Sequence, residues 1–199
     1  MSKYLDSNWL FQSAGNFIEL DAWVPENVIE QIHALNADES NHLRTRSDDD
    51  KQGDKAYGVE WNHVPAGWDL PEGAVELGVL VYNKGDYLFP HRDKWRAVKP
   101  TGEITGDAMR LICFVNNTNV NEFAFLLDGE VKHFEPRRWY AVNTRLIHSG
   151  FCFKDDTYHL SCGIQFNEDK LEETTTWLLD KLPYAQPKDD VKGINCGRN

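Results

Sequence analysis

The sequence predicts a mainly β domain, a sandwich or barrel with helices at its flanks, and three observations predict it. Short apolar runs recur at regular spacing between positions 57 and 167. Turn-forming stretches such as Asn83-Lys84-Gly85-Asp86 and Asp128-Gly129 separate them. Helical spacing of apolar residues is confined to the two ends of the chain. Together these are the marks of antiparallel strands joined by tight turns. With 199 residues, 41% of them hydrophobic and 12% aromatic, the chain suffices for one domain with a sizeable core.

The elements follow in order. "FIELDAWV" (17–24) reads as an opening strand. Pro25 reads as the first residue of a helix, and Val28, Ile32 and Leu35 form its apolar stripe. Residues 36–54 are charged and nearly free of apolar side chains. They read as an exposed loop, or as a flap over an active site. Strands are then expected in "YGVEWNHV" (57–64), "AVELGVLVY" (74–82) and "YLFPH" (87–91). A polar loop follows at 92–107, and "AMRLICFV" (108–115) reads as a buried strand. "EFAFLL" and "EVKHFE" form a hairpin about Asp128-Gly129, a pair suited to a type I′ turn. "WYAVN", "LIHSGFCF" and "YHLSCGIQF" complete the series. The expected organisation is one domain: a β core at 57–167, a strand and helix at 17–37, a closing helix at 171–182, and a lightly docked tail at 186–199.

Composition narrows the function classes. A net charge of −11 argues against a general nucleic-acid binder and against an anionic membrane surface. A small anionic ligand held by a few local cations stays compatible with it. Cys113, Cys152 and Cys162 lie in apolar strand-like runs, Cys196 lies in the tail, and no Cys-x-x-Cys pair occurs. Buried, reduced thiols in a cytoplasmic protein are the expectation. The opening "MSKYLDSNWL" has no apolar core of a secretory signal. No stretch reaches the ~18 apolar residues of a membrane span.

"LFPHRDKWR" (88–96) carries the first chemical signal. His91 and Asp93 are two apart at the end of an apolar run, so on a strand they share a face. Such a pair can ligate a metal, can form a hydrogen-bonded couple, or can arise by chance. With 7 His and 18 Asp in 199 residues, His-x-Asp is expected about 0.6 times by accident. The pair therefore needs a third partner on another strand. His148, in "RLIHSGFCF" between two apolar runs, is the candidate. Two imidazoles and one carboxylate form the facial triad of non-haem Fe(II) oxygenases, which leaves three positions open for a bidentate co-substrate and O2. The rival reading is that these are unrelated core and surface histidines.

The stretch "YLFPHRD … AMRLICFV … EFAFLLDGEVKHFEPRRWYAVNTRLIHSGFCF … YHLSCGIQF" resembles the aspartyl/asparaginyl β-hydroxylase-like family of Fe(II)/2-oxoglutarate oxygenases. The resemblance covers roughly residues 77–167, and the free-proline cis-4-hydroxylase branch is the most similar, since it too carries an acid two after the first His. It implies a double-stranded β-helix (jelly-roll, cupin-like) and implies His91, Asp93 and His148 as iron ligands. It also implies a hydroxylase rather than a halogenase, because related halogenases have a small residue where Asp93 stands.

A 2-oxoglutarate dianion needs a cation for its distal carboxylate, because burying it unpaired costs several kcal/mol. Arg110 stands inside an otherwise apolar strand, and a buried Arg is rare unless paired. It matches a family arginine associated with the acid-binding part of the pocket, and its rival reading is a strand-edge residue reaching solvent. The family's usual second arginine, about ten residues after the distal His, is replaced here by Tyr158 and His159. His159, Tyr158 and Tyr82, with Arg110, are therefore the candidate co-substrate residues. His133, Arg138 and Arg145 are further candidates, the first two for substrate. Arg92, Lys94, Arg96 and Lys99, with Trp95, form either a cationic mouth or a solvated loop.

The expected function is Fe(II)- and 2-oxoglutarate-dependent hydroxylation of a small amino-acid-like substrate, or of an amino-acid side chain in a peptide, by O2. Two alternatives stand beside it: a cupin-like metal enzyme that does not use 2-oxoglutarate, and a catalytically inactive β-domain that binds a ligand or partner.

Overall fold

A computed structural model describes residues 8–46, 57–71, 73–93, 97–98, 104–116, 119–167 and 171–183. The elements are α1 (Asn8–Ala14), β1 (Phe17–Trp23), α2 (Val28–Ala37), a 3-10 turn (Glu39–Asn41), β2 (His42–Arg46), β3 (Tyr57–Trp61) and β4 (Ala74–Tyr82). Then come β5 (Tyr87–His91), β6 (Ala97–Val98), β7 (Ile104–Phe114), β8 (Phe123–Leu127), β9 (Glu130–Lys132), β10 (Arg138–Val142), β11 (His148–Cys152), β12 (Thr157–Asn167) and α3 (Leu171–Lys181).

The strands form two antiparallel sheets. The larger runs β1-β10-β7-β12-β4-β3-β2, with β6 added beside β7, and the smaller runs β5-β11-β8-β9. In chain order, β4 lies in the large sheet, β5 in the small, β7 in the large, β8 and β9 in the small, β10 in the large, β11 in the small and β12 in the large. The chain thus winds back and forth between two facing sheets, which is a double-stranded β-helix flanked by helices.

Apolar residues cover both faces of the large sheet. One face carries Val79, Leu111, Cys113, Trp139, Leu160 and Cys162 against Leu10, Val28, Ile32 and Leu178 from the three helices. The other carries Tyr82, Ile112, Phe114, Tyr140 and Val142 against Phe123, Phe125, Leu127 and Cys152 of the small sheet, with Phe134. Residues 109–115 are buried apart from the half-buried Arg110 for this reason: strands covered on two sides read as continuous apolar runs.

Several boundaries differ from the sequence expectation. The second helix starts at Val28 with Asn27 at its cap, and the Val28 N–H donates to the Pro25 carbonyl at 3.2 Å. Pro25 therefore opens a turn and is not the first helical residue. The segment expected to be a loop at 36–54 contains β2, which pairs with β3 through Arg44 opposite Glu60 and Thr45 opposite Val59. An edge strand needs few apolar residues, so composition hid it. Residues 47–54, and the expected tail at 186–199 with Cys196, lie outside the described residues. Short α1 was not expected, yet it buries Leu10 and Phe11. Among the described residues no helix is long and apolar enough to cross a membrane.

Candidate metal centre

Antiparallel pairing of β5 with β11 brings His91 directly opposite His148. Their ring centroids are 4.2 Å apart. The register holds a detail that strict alternation would miss. Leu88 pairs with Gly150 and His91 with His148, so β5 takes three steps where β11 takes two. One extra residue is absorbed at Phe89-Pro90, a β-bulge. Leu88 is buried against the interior, and an odd step along a regular strand would turn His91 outward. The bulge returns it to the inner face. Proline suits that place because it has no N–H to leave unpaired.

Strand β5 ends at His91, so Asp93 is not on the strand as expected but two residues beyond it. Its backbone N–H donates to the Thr144 carbonyl at 2.9 Å. Thr144 lies in the turn that leads into β11, so the segments carrying Asp93 and His148 are tied together. His91 Nε2 stands 3.4 Å from Asp93 Oδ1. One donor atom each from His91, Asp93 and His148 falls within a mutual 4.8 Å. His148 is buried, while the His91 side chain is 39% exposed, so the cluster is closed on one side and open on the other.

Both imidazoles are held by their far nitrogens. His91 Nδ1 donates to the Phe89 carbonyl at 2.7 Å, and His148 Nδ1 to the Leu146 carbonyl at 3.2 Å. A carbonyl can only accept, which puts the proton on Nδ1 and leaves the Nε2 lone pair for a metal. Burial is the largest influence on His148 and pushes its pKa below the ordinary value; Asp93 opposes that shift and His91 adds to it. Metal binding needs this neutral form. Two donors at ~2.1 Å from one ion and at right angles stand ~3 Å apart. The His91–Asp93 pair, at 3.4 Å, is near that spacing, and the three residues together could hold one metal ion.

Arg110 lies on β7, opposite Val142 of β10 and Gly163 of β12. It alternates with Leu111 and so shares the inner face with Ile112 and Phe114. Its Nε stands 3.9 Å from Asp93 Oδ2, and its Nη2 stands 3.9 Å from Glu76 Oε2. Burial lowers its pKa while Asp93 and Glu76 raise it; a guanidinium keeps its charge through such shifts. Arg110 also lines a narrow cleft of about 50 Å3, together with Glu60, Glu76, Gly78, Leu80 and Ser161. Sequence reasoning missed Glu60, Glu76 and Ser161. The available signal was the polar Glu76-x-Gly78 inside the apolar run 74–82.

The remaining predicted residues lie elsewhere. His159 is on the inner face of β12 but stacks on Phe114 at 4.7 Å and on Tyr82 at 6.1 Å, and all three are buried. It is four residues from Gly163, the β12 partner of Arg110, which is ~13 Å along a strand. His159 and Tyr82 thus form a buried aromatic stack, His159 beside the cleft residues Leu80 and Ser161 but not in the lining itself. Tyr158 faces the opposite side, its hydroxyl 3.5 Å from His33 Nε2 on α2. Arg138 is committed to the β1 edge, with Glu19 at 3.1 Å, Glu135 at 3.0 Å, the Leu20 carbonyl at 2.8 Å and the Trp23 ring beneath it. His133 is exposed just past β9, Arg92 is exposed beside His91, and Arg145 is half-buried in the turn before β11. Lys94, Trp95, Arg96 and Lys99 lie outside the described residues.

No family model and no curated protein matches the sequence. Among solved structures, the chain is similar to a viral collagen prolyl hydroxylase from Paramecium bursaria Chlorella virus-1, in complex with 2-oxoglutarate. That match has 10% identity and a TM-score of 0.44, covering 74% of this chain and 93% of that one. It is similar to KdgF from a Halomonas species at 12% identity and a TM-score of 0.39, over 64% and 91% of the two chains. It is also similar to a predicted oxalate decarboxylase from Thermotoga maritima at 11% identity and a TM-score of 0.40, over 62% and 91%. At these values the fold rests on the strand order and register described above.

Proposed function

We propose that this chain is an Fe(II)- and 2-oxoglutarate-dependent dioxygenase that hydroxylates an unactivated C–H bond. Its substrate is small and amino-acid-like, or an amino-acid side chain in a peptide. One observation carries the reading: His91, Asp93 and His148 converge with both Nε2 lone pairs directed by carbonyls at Nδ1. Fe(II) held there, with 2-oxoglutarate and O2, supplies the oxidising power, and 2-oxoglutarate leaves as succinate and CO2. The rest is the work of the chain. His91, Asp93 and His148 would hold the ion and leave its remaining positions to reactants. The bonds at Nδ1 fix both rings, and Asp93 is positioned through its backbone bond to Thr144. Phe125, 6.1 Å from the His148 ring, helps keep water from the buried side. Arg110 offers a carboxylate a planar set of donors in the cleft next to the triad.

A second reading has its own support. Glu60 and Glu76 flank Arg110 in the cleft, and two carboxylates beside one guanidinium disfavour a dianion. This favours a metal enzyme of the same fold that does not use 2-oxoglutarate. Anaerobic addition of Fe(II), then 2-oxoglutarate, separates the two. A weak visible charge-transfer band that needs both components supports the first reading. Metal uptake with no band on adding 2-oxoglutarate supports the second. Absence of metal uptake ends both and leaves a ligand-binding β-domain.

A further inference from the structure

We infer that the outer face of the small sheet is a two-fold contact between two copies of this chain. On β5, β11, β8 and β9 the inward positions carry the inner core and the two histidines, so the alternate residues point the other way. Those outward positions are Tyr87 and Phe89 on β5, Phe151 on β11, Ala124 and Leu126 on β8, and Val131 on β9. Register joins them into one patch. Tyr87 pairs with Phe151 and Phe151 with Ala124, while Leu126 pairs with Val131. The Tyr87 and Phe89 rings meet edge to face at 4.9 Å. Phe153, just past β11, extends the row. Ser149, the remaining outward residue of β11, is buried.

Nothing among the described residues packs over this patch. The three helices lie on the large sheet, and neither core includes any of the outward residues. Phe89, Phe151 and Phe153 are 48%, 44% and 52% exposed, and Val131 is 47% exposed. Three aromatic side chains of ~200 Å2 exposed to that extent leave roughly 300 Å2 of apolar surface in water, and the aliphatic neighbours bring the patch to ~400 Å2. A two-fold pair covers this twice, and with its margins reaches the ~1,000 Å2 of a small specific interface.

Charge selects the occupant. The chain carries a net charge of −11, so two copies repel wherever carboxylates would face carboxylates. None of the outward residues is charged. Charged side chains at the margins are paired, Lys154 with Glu122 at 3.1 Å and Lys132 with Glu130. An apolar centre inside a polar rim is the anatomy of a protein contact. A two-fold contact sets one patch against itself, so the patch must be self-complementary. An uncharged apolar face meets that condition, while a cationic partner would be drawn to the acidic surface elsewhere. His91 and His148 face the other side of β5 and β11, so the pairing does not depend on the metal.

The test is sedimentation equilibrium of the full chain from about 1 to 200 μM, at low and at high sodium chloride. A reversible dimer is expected in the micromolar range, as suits an interface of this size. It tightens at least twofold at high salt, because salt screens the repulsion between like-charged chains. Phe151→Glu and Val131→Glu each weaken it at least tenfold with circular dichroism as in the parent. Val131 lies on an edge strand, so its variant decides the matter if Phe151→Glu does not fold. A chain that stays monomeric throughout overturns the inference and leaves the face to a different partner. A dimer that the charged variants leave intact overturns it too, since the contact then lies elsewhere. So does a dimer that loosens as salt rises, since charge then holds it.

Discussion

His91 and His148 act through the nitrogens that would not touch a metal. Each Nδ1 is spent on a backbone carbonyl, which fixes ring and tautomer together. His148→Ala therefore lowers metal affinity by at least 100-fold, measurable as metal content after dialysis; retention of parent affinity would remove His148 from the ligand set. Its titration has a defined sign in the metal-free chain. Unfolded His148 takes a proton near its ordinary pKa of 6.5, while the folded one resists until lower pH. The unfolded state thus holds more protons in that window, and stability present above 6.5 is lost as pH falls through it. Calorimetric melting of the metal-free chain should drop from pH 7.5 to 5.5, and His148→Gln should flatten part of that drop. At this scale the triad was legible, because His-x-Asp and a remote His on an apolar strand are local facts. Glu60 and Glu76 were not legible, since only the register of β3, β4, β12 and β7 brings them to Arg110. Neither was the choice between Tyr158 and His159. Neighbouring strand residues face opposite ways, and both faces of this sheet are buried.

Two bulges do the aiming. That in β5 turns His91 inward, and that in β4 brings Glu76 to the cleft. Deleting Pro90 removes the extra residue, so that Leu88 and His91 stand two apart and His91 keeps the inner face by strict alternation. The deletion variant should keep both its β-sheet circular dichroism and its metal binding; loss of metal affinity with the sheet intact would show that the bulge does more than restore the facing of His91. Close approach of β3 and β4 gives a second prediction. Gly78→Ala puts a methyl 2.6 Å from a backbone oxygen that cannot swing aside. It should destabilise the fold by ~1–3 kcal/mol in urea unfolding, in the range of an overpacked core; an unchanged midpoint would refute the contact. Strand existence was readable from short apolar runs between turn signals, as at Ala74–Tyr82, whose bounds match. Bulges were not, because an extra residue is defined only against a partner strand. Strand β2 escaped because its edge position demands little apolar content.

In the whole molecule, the large sheet separates an outer core under the helices from an inner core under the small sheet. Cys113 and Cys162 lie in the outer core at 0% exposure, and burial pushes the Cys162 thiol up to about 12. Both should resist alkylation in the native chain and react once unfolded, with peptide mass mapping as the readout; native labelling of either would mean that the outer core opens. Fold class was legible because turn signals and apolar runs are spread along the chain. The division of strands between two sheets is a property of the assembled winding and came only from pairing. All of it positions one claim, that a single divalent ion binds His91, Asp93 and His148. Titration of the metal-free chain with Co(II), followed by its visible absorption, tests this most directly. One equivalent per chain should saturate the spectrum, and His91→Ala and His148→Ala should each abolish it. A parent chain with no saturable cobalt spectrum, or a spectrum that survives both substitutions, would contradict it.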